Sequence, residues 1–140
     1  MKRYREKIKK QIIELEKLFV SAYKERLISL VIFGSVANDK FTPESDIDLL
    51  IILKNKRSSY EEFDFYFDNV ENKMKFNFLR INPLFKDLQE MKPSLPFLWR
   101  TNFIILFDRQ NFFKNFINEL EEFKKNKIVI KENYEIINDK

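Results

Sequence analysis

Two stretches of this chain constrain its fold more than any other: LISLVIF, from Leu27 to Phe33, and DIDLLIIL, from Asp46 to Leu53. A strand with one face in water alternates apolar and polar residues, whereas the later part of the second stretch is apolar on both faces. Strands of that kind belong to a sheet covered on both sides. The chain also supplies material to cover it. Residues 3–26 carry Ile8, Ile12, Leu15, Phe19, Ala22 and Tyr23 at helical spacing, and Arg109 to Lys125 carry Phe112, Phe113, Phe116, Ile117, Leu120 and Phe123. The expected fold is therefore mixed α/β, a sheet with helices packed on it, in one domain over residues 1–140.

The remaining elements follow from shorter signals. Ser58 with Glu61 forms a capping-box signature, and Tyr60, Phe63, Phe67 and Val70 supply a helical stripe behind it. Met74 to Ile81 alternates as a strand, with Phe76 and Phe78 on one face and Asn77 and Leu79 on the other. Residues 84–91 read as a short helix, and Asn102 to Phe107 as another buried strand. The tail KIVIKENYEIIND reads as a strand or a hairpin. PSLPFLWR, from Pro93 to Arg100, has two readings: an aromatic partner surface, or a segment folded back onto the core.

Composition removes whole classes of chemistry. There is no cysteine and no histidine. That excludes thiolate nucleophiles and disulfides, Ser-His-Asp hydrolysis and most zinc sites. Catalysis must use carboxylates, hydroxyls, lysine, arginine, backbone amides or a hard, oxygen-bound metal. The net charge is +4, concentrated at the start in Lys2, Arg3, Arg5, Lys7, Lys9 and Lys10. Such a run reads first as the solvated face of a helix, and a nucleic-acid footprint stays open beside it. No apolar run reaches the roughly 18 to 20 residues of a membrane span, so the expectation is a cytoplasmic protein with no membrane partner.

Average usage would give a chain of this length about 7% glycine, yet Gly34 is the only one. It follows a strand and precedes Ser35, Val36 and Ala37, a turn or very short helix. Glycine there permits close approach of another group to the backbone, and free amides at a helical start suit phosphate. Taken alone, the same residues also read as a tight strand-to-helix turn. Ten residues beyond Ser35 comes Ser45-Asp46-Ile47-Asp48. Strand alternation puts Asp46 and Asp48 on one face about 7 Å apart, and two ionised carboxylates so placed call for a cation between them. Mg²⁺, which takes one or two carboxylates plus substrate phosphate oxygens, is the candidate. A glycine-serine turn and a pair of aspartates on successive strands together read as a site for a nucleoside triphosphate; no motif in the sequence names its base, and ATP is the expectation carried beside the resemblance below.

The segment FGSVANDKFTPESDIDLLI, Phe33 to Ile51, resembles the signature of the DNA polymerase β-like nucleotidyltransferases. Within them the chain is similar to the minimal nucleotidyltransferases that pair with HEPN-domain proteins as toxin–antitoxin systems. The resemblance implies transfer of a nucleoside monophosphate, AMP, from a triphosphate to an acceptor hydroxyl with Mg²⁺. It places Gly34 and Ser35 at phosphate, and Asp46 and Asp48 at the metal as the catalytic pair; Ser45 is expected at phosphate beside them, with Lys40 as the substitute for an arginine that the chain lacks. It also implies a HEPN-domain partner, whose tyrosine can be the acceptor, and allows a homo-oligomer. The alternative it carries is a weakened antitoxin-like subunit that masks its partner. The departures are Asn38 and Asp39 where Arg-Gly is usual, and Asn77 where a third carboxylate is expected on a later strand.

Overall fold

A computed structural model describes the backbone of residues 2–131 and 134–137 and the side chains of residues 3–126. Helix α1 (Lys2–Tyr23) leads into strand β1 (Leu27–Phe33), the single helical turn α2 (Gly34–Ala37) and strand β2 (Asp46–Leu53). Helix α3 (Ser59–Asn69) then crosses to strand β3 (Arg80–Asp87), and a loop leads to strand β4 (Ile104–Asp108). Helix α4 (Phe112–Lys127) and a hairpin of β5 (Ile128–Lys131) and β6 (Tyr134–Ile137) complete the order. The main sheet runs β3-β2-β1-β4. β1 is antiparallel to both its neighbours, while β3 lies parallel to β2, as the α3 crossover requires.

Because side chains alternate along a strand, β2 feeds two cores. Ile47, Leu49, Ile51 and Leu53 join Leu30 and Ile32 of β1 against Leu15, Phe19 and Tyr23 of α1 and Tyr66 of α3. Leu50 and Ile52, with Val31, face Phe113, Phe116 and Leu120 of α4 together with Leu98 and Trp99. Each of these side chains contributes about 1.5–3 kcal/mol through burial. Asp46 and Asp48 share the parity of Leu50 and Ile52, so they emerge on the α4 face, where the apolar layer ends.

Several expectations need correction. The strand expected over Met74 to Ile81 forms only from Arg80 on; β3 takes the first half of the region expected to be a helix, 84–91, and a single helical turn at Leu88–Glu90 is what remains of that helix. The backbone of 74–79 bonds to α1 side chains in place of a sheet. The Glu14 carboxylate accepts from the amides of Lys75 and Phe76. The buried Gln11 amide both accepts from Leu79 N–H and donates to Leu79 C=O. Pro83 is accommodated because β3 is an edge strand.

In α3, Ser58 caps the helix as expected, but of the expected stripe only Val70, just past the helix, is buried. Tyr60, Phe63 and Phe67 are exposed, and the buried residues are Glu62 and Tyr66. Glu62 turns the helix because it pairs with Arg26 and accepts from the Arg57 amide. PSLPFLWR folds back: Leu98 and Trp99 are buried, and the indole N–H donates to Pro93 C=O at 2.9 Å. β4 starts at Ile104, two residues later than expected, and is not the buried strand expected there: at the sheet edge its residues are exposed or half-buried. No described helix is long and apolar enough to cross a membrane.

Candidate active site

The antiparallel register opposes Phe33, the last residue of β1, to Asp48 of β2. The chain must then turn immediately above the Asp48 carboxylate, and it does so at Gly34 with φ +74°. A Cβ at position 34 would lie 2.2 Å from Asp48 Oδ2. A side chain here would be strained by the left-handed backbone and would push the Asp48 carboxylate aside. The single glycine of the chain is thus where the Asp48 carboxylate tucks against the turn. The Gly34 N–H donates to Thr101 Oγ1 at 2.7 Å, so Gly34 supplies room and not a spare donor.

The turn is braced from the same side. Asn38 Oδ1 accepts from the Asn102 amide at 2.7 Å, and the Asn38 and Lys40 amides close α2 onto Gly34 and Ser35. Asn38, where arginine is usual in the resembling family, is therefore a strut between α2 and the loop before β4. Asp39 forms a two-point ion pair with Arg5 of α1, at 2.9 and 3.2 Å. Its negative charge, which alone would oppose a polyanion, is matched by this arginine. That gives one residue of the basic N-terminal run a specific contact.

β3 completes the constellation from the other side. Its parallel register sets Arg80 beside Asp46 and Asn82 beside Asp48. Arg80 grips Asp46 through both oxygens, Nε to Oδ1 at 3.1 Å and Nη2 to Oδ2 at 2.9 Å. This guanidinium holds the Asp46 carboxyl below its ordinary range and raises its own value in return. Asn82 Nδ2 donates to Asp48 Oδ1 at 3.0 Å. Asn82, and not Asn77, is thus the neutral residue that β3 sets beside the two aspartates. Asn77 lies outside the sheet, donates to Met74 C=O, and lines an open cleft of about 400 Å³ with Glu71 and Arg80.

The other expected phosphate residues are placed less directly. Ser35 is half-buried in α2 and Lys40 is exposed just beyond it. Ser45 Oγ accepts from the Thr42 amide at 2.8 Å, which shapes the loop entering β2. Sequence reading missed Arg80, Asn82 and Thr101. The signal for the first two was the alternation Arg80-Ile81-Asn82, legible only with β3 in register.

Among the described residues no group of three or more acidic, histidine or cysteine side chains could hold a metal by itself. The donor set is two carboxylates and one amide at the end of a sheet. It fits Mg²⁺ that arrives with a triphosphate, because such an ion draws most of its oxygens from phosphate and water.

The family model for the nucleotidyltransferase domain matches residues 5–139. None of the curated proteins matches the chain. Among solved structures, a toxin–antitoxin with AMP-PNP aligns at TM-score 0.56 and 14% identity, over 81% of this chain and 90% of that one. A toxin–antitoxin MntA-HpeT mutant aligns at TM-score 0.47 and 14% identity, over 78% and 85%. The spectinomycin adenyltransferase AAD(9) from Enterococcus faecialis, with ATP and spectinomycin, aligns at 0.48 and 24%, over 60% of this chain. The chain spans only 36% of that enzyme's length. At these identities the first likeness is one of fold.

Proposed function

The chain belongs to the nucleotidyltransferase-domain family, and from that premise we propose that it is a Mg²⁺-dependent nucleotidyltransferase that moves AMP from ATP to an acceptor hydroxyl. The observation that carries this reading is the seating of the Asp48 carboxylate in the space of the missing Gly34 side chain, on one strand face with Asp46. A sequence with no other glycine keeps one where it lets a carboxylate meet a turn. Bound Mg²⁺ would neutralise and orient the phosphates. Asp46 and Asp48 would hold it, and the turn of Gly34 and Ser35 would border the phosphates with Lys40 at the rim. In the transfer, the acceptor oxygen bonds to the α-phosphorus, the bond to the β-phosphate bridge breaks, and pyrophosphate leaves. The hydroxyl proton passes to solvent, since Asn82 is neutral and no proton acceptor. By resemblance, the acceptor is a tyrosine of a HEPN-domain partner; the neighbour of the same fold, a toxin–antitoxin with AMP-PNP, supports a toxin as that partner.

A second reading rests on Asn82 itself. A site whose third position is an amide binds nucleotide with its two aspartates but activates a hydroxyl poorly, which suits a subunit that restrains its partner by contact. Incubation of the complex with ATP labelled at the α-phosphate separates the two. An enzyme transfers label to the partner and Asp48→Asn abolishes it. A masking subunit transfers none, and Asp48→Asn keeps its hold on the partner.

A further inference from the structure

β3 gives the two carboxylates different companions, a guanidinium for Asp46 and a neutral amide for Asp48. The Arg80 fork engages both oxygens of Asp46. A magnesium ion needs such an oxygen at about 2.0–2.1 Å, and a guanidinium already seated on both oxygens repels a second cation there. Metal entry is therefore favoured when Arg80 leaves. Its side chain is 81% exposed, against 26% for Asp46, so it can swing away without unpacking anything. A freed guanidinium offers five donors in a plane suited to phosphate oxygens, and it remains at the rim of the same site.

We propose that Arg80 is a placeholder switch: it occupies Asp46 in the nucleotide-free protein and passes to a phosphate oxygen when metal and triphosphate arrive together. This rests on the metal–triphosphate reading above and extends it to the order of binding. A bare divalent ion must displace this cation and brings it no anion in exchange. A triphosphate supplies that anion. Metal and nucleotide thus bind with positive coupling, and the coupling is reciprocal.

The test is Mn²⁺ binding followed by electron paramagnetic resonance, with and without ATP, on wild type, Arg80→Gln, Arg80→Lys and Asp48→Asn. Arg80→Gln is expected to bind Mn²⁺ alone about tenfold more tightly, which is about 1.4 kcal/mol, and to lose most of the enhancement that ATP gives wild type. Arg80→Lys keeps the charge without the fork and falls between. Exposure of the side chain keeps both variants folded, which thermal melts check. Unchanged Mn²⁺ affinity and unchanged ATP enhancement in Arg80→Gln, with wild type binding Mn²⁺–ATP and Asp48→Asn not, would overturn the switch and leave the site standing. Failure of wild type and Arg80→Gln alike to bind Mn²⁺–ATP would overturn both.

Discussion

Replacing Gly34 by alanine separates the two reasons for glycine at that position. At φ +74° an alanine costs about 1–2 kcal/mol in backbone strain, offset by roughly 0.4–1 kcal/mol from the stiffer unfolded chain. The new methyl would also meet Asp48 Oδ2 at 2.2 Å and Cγ at 3.2 Å. To restore an ordinary contact the carboxylate must retreat by about 1 Å, which breaks its hydrogen bond from Asn82. Losing a charged hydrogen bond at a half-exposed site adds about 1–2 kcal/mol. Gly34→Ala should thus cost about 2–3 kcal/mol in wild type but only about 1 kcal/mol where Asp48 is already alanine. At about 3–4 °C per kcal/mol for a chain of this size, calorimetric melts of the four proteins should show a drop of roughly 7–10 °C in the first background and 3–4 °C in the second. Equal drops in both backgrounds would mean that Asp48 does not press on Gly34, and the lone glycine would need another cause.

Asn82→Asp sets a third carboxylate beside Asp48. It should lower the melting temperature without divalent ion, recover it with Mg²⁺, and raise label transfer by up to about 10²-fold, the lower range for a positioned base; thermal shift and the transfer assay read both. Gln11→Ala orphans the buried N–H and C=O of Leu79 and should cost about 2–4 kcal/mol in urea unfolding. Asp87 accepts from the amides of Lys56 and Gln89, and these backbone bonds, the Lys56 one foremost, hold its carboxyl below the ordinary 3.8. Its folded value being the lower one, the stability it lends is present above the ordinary value and lost as pH falls through the folded one. The melting gap between wild type and Asp87→Asn should accordingly be open at neutral pH and close in strong acid.

How much of this was legible depended on whether a residue's partner was near in sequence. β1 and β2 announced themselves because their apolar runs have no other home, and the spacing of Asp46 and Asp48 fixed their common face. Ser58 and Glu61 are three residues apart and could be read directly. The start of β3 could not, since the backbone before it is bonded to Gln11, 68 residues away, and Pro83 disguises the strand that follows. That displacement moved the neutral third position from Asn77 to Asn82 and hid Arg80 altogether. The face of α3 was misjudged for a related reason: aromatic spacing favoured Tyr60, Phe63 and Phe67, while the buried pairing of Glu62 with Arg26 decided the outcome. Gly34 stood out by rarity, but its cause, the carboxylate of Asp48, required the register of two strands.

The central claim is that Asp46, Asp48 and the Gly34 turn form a metal–triphosphate site, and calorimetric titration of ATP with and without Mg²⁺ tests it without knowledge of the acceptor. Wild type should bind ATP only when Mg²⁺ is present, and Asp48→Asn, which keeps the shape of the side chain but not its charge, should lose that binding. ATP binding that ignores Mg²⁺, or that survives in Asp48→Asn, would contradict the account.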